Sequence, residues 1–226
     1  ITKYLGNLGG AIFSFTTFVL GAIILWQFMG RIQTGIMVSF LEDIWTSNFI
    51  NFFASPLKVK EYLLGLILTS LTISATGLVG MLLVAGLIFG YNVFITGLHI
   101  LPFLLILFIF GVAMGIFITA IVFKLGPMAE WLGWPIPALM SIFVGVFYPI
   151  SMLPSYLQVI SWILPPTYVF DSIRIILTGN LNVIVNLLYG FVLAIIYLVL
   201  AYLFFLKVYK KNLKTGAISR FSSEAV

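Results

Sequence analysis

Few side chains in this sequence can do chemistry, and they are too scattered to do it together. The acidic residues are Glu42, Asp43, Glu61, Glu130, Asp171 and Glu224. General acid–base work needs two titratable groups converging on one site. The one histidine, His99, is near neither Glu130 nor Asp171 in sequence. A multi-histidine metal centre is thereby excluded. The absence of cysteine excludes a disulfide, a thiol nucleophile and a thiolate metal site. No GxxxxGK(S/T) phosphate loop occurs, so any use of ATP must reside in another chain. The polar residues that do cluster are two sets. One is the acidic run at Glu42–Asp43. The other is Asp171 and Arg174, three apart and able to pair on one helix.

The elements that hold these residues are membrane spans. Hydrophobic residues make up 62% of the chain and charged residues only 8%, too little polar material to cover a soluble domain. Mean hydropathy is +1.23. Apolar runs at about 9–30, 62–92, 100–123 and 181–206 are long enough to cross unaided. A shorter fifth run, about 133–150, opens on Pro135 and Pro137, and proline suits a first helical turn. It reads as a span entering at Trp134 and ending near Tyr148. The predicted fold is all-α and polytopic.

Basic residues then set orientation. Arg31, Lys58 and Lys60 follow the first run, Lys124 follows the third, and five more basic residues lie after the last. Five crossings put all three groups on one side, expected to be the cytoplasm. The net charge of +5 thus reflects topology, not nucleic-acid binding. The C-terminus is expected inside. The visible start falls outside without a methionine, so an earlier span and a cytoplasmic N-terminal segment are expected to precede it. No cleavable signal peptide is visible.

Between the first two spans lies a polar island at 39–61. Leu41, Ile44, Trp45, Phe49, Phe52 and Phe53 recur at helical spacing, with Glu42, Asp43, Thr46, Ser47 and Asn51 opposite. This predicts an amphipathic helix at 41–53, stopped at Ser55–Pro56. It reads either as a lipid anchor or as a docking surface for a protein partner. Anchors usually carry basic polar faces, and this face is acidic, which favours docking.

Residues 147–174 are apolar yet broken by Pro149, Pro154, Pro165 and Pro166, so they cannot form one spanning helix. Tyr156–Leu164 predicts one short helix, with Ser155, Gln158 and Ser161 as a polar stripe. Thr167 reads as the N-cap of a second, and Gly179–Asn180 as its stop. The pair at 151–178 either dips into the outer leaflet or lies flat on it. Arg31 is expected at the inner interface, snorkelling to headgroups, and His99 at the outer interface. Asn182 and Asn186 either cap the last span or bond across helices. The glycines Gly65, Gly77, Gly80, Gly86 and Gly90 are expected to permit close helix approach.

The order of these parts resembles the permease subunit of ABC type-2 transporters. The resemblance rests on SPLKVKEYLLG, with Ser55, Pro56, Glu61 and Gly65. It rests also on FYPISMLP and LPPTYVFDSIR, with Tyr148, Pro149, Pro154, Pro165 and Arg174. It covers nearly the whole of 1–226, read as a single domain. Family members usually have six spans after an N-terminal interfacial helix, whereas five are visible here.

The resemblance implies that two permease copies pair above two ABC ATP-binding subunits, which bind ATP and magnesium. The pairing would be a homodimer or a heterodimer. The chain itself would hold no cofactor and hydrolyse nothing. The helix at 41–53 would be the coupling helix, with Glu42, Asp43, Trp45, Asn48, Asn51, Ser55 and Pro56 as its contact set. Lys124, Glu130 and Trp131 border a smaller second contact. Tyr148, Pro149, Pro154, Pro165, Asp171 and Arg174 would border the outer exit of an export pathway. Competing classes are an ATP-independent carrier or channel, and a membrane transferase. The first calls for polar residues deep in several spans or an internal repeat. The second calls for clustered acid, base or metal ligands.

Overall fold

A computed structural model describes residues 10–46, 48, 51, 55–89, 100–177 and 182–215. Among these residues it is all-helical, with no strand. His99, Gly179, Asn180, Arg220, Ser47, Phe49, Phe52 and Phe53 lie outside the described residues.

Four helices are long and apolar enough to cross a membrane. They are α1 (Gly10–Trp45), α2 (Val59–Phe89), α3 (Ile100–Leu125) and, after three short helices, α7 (Ile184–Thr215). Their interiors contain no proline except Pro102 in the first turn of α3, where the lost N–H costs nothing. The start of α2 is fixed by Glu61, whose carboxylate accepts the N–H of Lys58 at 2.8 Å. That is half of a capping box, the glutamate reaching back to the residue before the helix.

Helix α3 is the centre of the bundle and packs on both α1 and α7, while α2 packs on α1 at the edge. Lipid tails are as apolar as leucine, so helices associate here by close packing rather than by escape from water. Gly115 shows how close: a Cβ there would stand 2.9 Å from Ile36 Cβ and 3.2 Å from the carbonyl oxygen of Gln33. Ser70 of α2 donates to the carbonyl of Ile32 at 2.8 Å and binds α2 to α1. Gly90 lies outside the described residues; of Gly65, Gly77 and Gly80, Gly77 abuts another helix. A side chain at Gly65 or Gly80 would meet open space, so close approach does not explain them. Snug contacts fall also on Gly35 of α1, against Ser70, and on Gly111 and Gly115 of α3.

Two aromatic clusters fix the register. At one end Phe40, Phe123 and Phe205 stack from α1, α3 and α7, with centroids 5.6 and 6.1 Å apart. Asn212 donates to the carbonyl of Phe123 at 2.6 Å there. This end also gathers Lys58, Lys60, Lys124 and the lysines of α7, and is the basic end. At the other end Trp26 meets Phe170 at 6.0 Å.

The return from Lys124 to that far end is not the single span expected at 133–150. A 3-10 helix covers Pro127–Leu132, and α4 (Pro135–Val144) has only 10 residues. That is about 15 Å, half a bilayer core. Gln33 donates to the carbonyl of Gly133 at 3.1 Å, and Pro137 lies beside Gly30. So α4 begins partway along α1 rather than at its end. It stops at Gly145, whose φ of 68° is left-handed, the usual glycine exit from a helix.

Beyond a 3-10 turn at Ile150–Met152 come α5 (Ser155–Ile163) and α6 (Pro165–Leu177), bent by 103° at Leu164. The prolines break the segment where the sequence said they would. Thr167 is not the cap. Pro165 opens α6, and the buried Thr167 hydroxyl has no hydrogen-bond partner. The bend sits against α7: a Cβ on Gly190 would lie 3.3 Å from the carbonyl of Pro165.

Candidate functional site

The basic end of α1 and α2 forms one polar corner. The helix predicted to begin at 41 does not begin there, because Leu41, Glu42, Asp43 and Trp45 are the last residues of α1 itself. No proline or glycine interrupts 36–45, so the span runs on into the polar segment. Asp43 is the organising residue. Its carboxylate accepts from the Tyr62 hydroxyl at 2.8 Å and from the Asn48 amide at 3.1 Å. Asn51 in turn donates to Asn48 at 3.2 Å. The Asp43–Tyr62 bond ties the end of α1 to the start of α2. Glu42, Trp45, Asn48, Asn51, Ser55 and Pro56 are exposed around it. Ser55 Oγ accepts the N–H of Leu57 at 3.4 Å, which shapes the turn into α2. Sequence reasoning missed Tyr62. Its only signal is a hydroxyl beside the charged start of a span.

At the far end, the residues singled out in the broken segment are brought together. Arg174 of α6 donates to the carbonyl of Gly145, and at 3.4 Å to that of Val146. It thus caps the C-terminus of α4 with a cation, where the helix leaves unsatisfied carbonyls. Tyr148 folds back to donate to the carbonyl of Ile142. Asp171 accepts from Asn186 of α7 at 3.4 Å, the cross-helix use foreseen for that asparagine. Pro165 is buried at the bend, whereas Pro149 and Pro154 are exposed. These residues latch α4, α6 and α7 together and leave the outward side of α5 uncovered.

Arg31, expected at the inner interface, falls well inside a continuous helix. It lies inside the span Val19–Trp45, and its guanidinium rests on Gly77 of α2. Gly77 is 16 residues from Glu61, so about 24 Å from the basic end of α2. The first apolar run reads as ending near 30, but the helix continues through 31–34. There Gln33 is buried against Gly133, while Arg31 faces outward.

No group of three His, Cys, Asp or Glu side chains able to hold a metal occurs among the described residues. Four to five helical segments long and apolar enough to cross define a multi-pass membrane protein. Residues 3–178 match the family model described as ABC-2 type transporter. The match covers most of the chain, which therefore belongs to that family and is the transmembrane component of such a transporter. That component is not the catalytic one, and family membership implies association with an ABC ATP-binding subunit. No curated protein matches the chain significantly.

Proposed function

We propose that this chain is the permease subunit of an ATP-driven exporter, moving substrate outward from the cytoplasm or the inner leaflet. The basic end faces the cytoplasm of a cell membrane, with the C-terminus inside, in keeping with the excess of lysine there. A separate subunit binds and hydrolyses ATP with magnesium. Two permease copies, most simply identical, enclose the pathway.

The observation that carries this reading is the corner at Asp43 and Tyr62. A docking surface transmits force only if it is fixed to the elements that must move. The 2.8 Å bond joins the ends of two spans at the place where acidic and amide groups are presented. Asp43 holds the corner, and Glu42, Trp45, Asn48 and Asn51 meet the ATPase, with Ser55 and Pro56 shaping its far edge. ATP-driven closure beneath would favour one arrangement of the spans through its unequal affinity for the two. At the far end, the bend at Leu164 dips below the membrane surface. There α5 and α6, held by Arg174 and Asp171, border the exit.

The test is recovery of an ABC ATPase with the full-length permease from native membranes. Glu42→Lys together with Asn48→Lys should reduce that recovery while thermal unfolding of the permease in detergent stays the same. Wild-type permease that brings down no ATPase would sink the reading.

A further inference from the structure

The exposed residues of α1 form one stripe: Ile23, Gln27, Arg31, Glu42 and Trp45, with the half-buried Thr34 and Val38 between. Their spacing of three and four keeps them on one side of the helix. The stripe runs between α4, which touches Gly30, and α2, whose Gly77 touches Arg31. It is therefore the floor of a trough with those two helices as its walls.

Arg31 is the anomaly in that trough. A Cβ on Gly77 would stand 3.0 Å from its Nη1, so the guanidinium packs closely on α2 at that glycine. Long side chains on a helix lean toward its N-terminus. Arg31 thus points away from the basic end and toward Gln27, one turn further on. Snorkelling does not rescue it. Glu42, the nearest carboxylate along α1, is 11 residues away, about 16 Å. Among the described residues the guanidinium has no ion pair or hydrogen bond. A charge at this depth faces a partner or a wet cavity, not lipid tails.

We propose that Arg31, with Gln27 one turn away on the same stripe, recognises the phosphate headgroup of an amphiphilic substrate partway across the membrane. A guanidinium presents paired donors that match a phosphate's oxygens. The apolar stripe residues Ile23 and Val38, and the exposed leucines and valines of α2, suit an attached tail. The proposal rests on the transport reading for its direction of travel, but not for the binding itself.

The test uses the full-length permease with its ATPase in phosphatidylcholine nanodiscs and labelled dodecyl phosphate as probe. Wild type should bind the probe, with competition from unlabelled dodecyl phosphate but not from dodecyl maltoside. Inorganic phosphate should compete far more weakly, which separates a tailed headgroup from a free ion. Arg31→Gln should weaken binding by about tenfold or more, and Arg31→Lys by less, because lysine keeps charge but loses the fork. Gly77→Leu should also weaken it by displacing the guanidinium, and so tests the site without removing its charge. Equal binding by wild type, Arg31→Gln and Gly77→Leu overturns the proposal. So does an Arg31→Gln variant that separates the permease copies while leaving probe binding intact, since Arg31 would then pair with protein. Arg31-dependent binding by a permease that recruits no ATPase would uphold the site and defeat the transport reading alone.

Discussion

A single backbone angle decides how the short crossing ends. Gly145 has a φ of 68°, and a Cβ there would lie 2.9 Å from the carbonyl oxygen of Tyr148. Any other L-residue in that conformation costs about 1–2 kcal/mol before the contact is counted. Gly145→Ala should lower the unfolding free energy in detergent by at least that much. Gly65→Ala is the matched control. Its added methyl meets open space, and alanine exceeds glycine in helix propensity by ~1 kcal/mol. Its unfolding midpoint should stay level or rise. Tyr62→Phe tests the corner in the same way. It leaves the Asp43 carboxylate without its cross-helix donor, and hydrogen bonds to charged groups are worth about 1.5–3 kcal/mol. Reduced thermal stability of the detergent-solubilised permease is the expected result, and an unchanged midpoint would mean the bond contributes nothing there. Arg31 stands on the other side of this ledger. An arginine at the centre of a span costs about 2.5–3.5 kcal/mol on insertion scales, a cost that the proposed phosphate headgroup would offset.

At the scale of elements, the sequence was legible wherever a local rule decides. The long apolar runs became α2, α3 and α7. The prolines break 147–174 into short helices as expected, because proline is tolerated in the first turn of a helix but not in its interior. The misreadings concern residues whose role is set by a distant partner. The first apolar run reads as ending near 30, with Arg31 just beyond it. Yet Gln33 bonds to a carbonyl 100 residues away, and α1 continues to Trp45. The run at 133–150 has a span's composition, but the contact of Pro137 with Gly30 is what starts α4 at mid-depth. The tie between Arg174 and Gly145, 29 residues apart, was equally invisible. Sequence spacing suggested Asp171 as the partner of Arg174 and said nothing of a helix C-terminus. Its consequence is local and can be measured. Arg174→Gln removes a charged donor from the end of α4. Amide hydrogen exchange should quicken at 142–150 and leave α1 and α3 unchanged. Uniform quickening across the chain would show instead that Arg174 supports the whole fold.

For the whole molecule, the two ends differ in charge. Phe40, Phe123 and Phe205 put the ends of α1, α3 and α7 at one level, so α3 and α7 run parallel. The chain must therefore cross once between Leu125 and Ile184. It does so by the 3-10 helix and the ten residues of α4, with no long span at all. If the lysine-rich end is cytoplasmic, Met152 and Lys214 lie on opposite sides of the membrane. Both are exposed, and the sequence has no native cysteine to confuse a label. A cysteine at Met152→Cys should react with a membrane-impermeant thiol reagent in intact cells. One at Lys214→Cys should react only after the membrane is opened. The reverse pattern would invert the orientation, move the Asp43 corner outside, and remove the ATPase from its proposed seat. Labelling of both positions in intact cells would mean that the short route through α4 does not cross. The return that the parallel packing of α3 and α7 requires would then fall to the bent pair α5–α6.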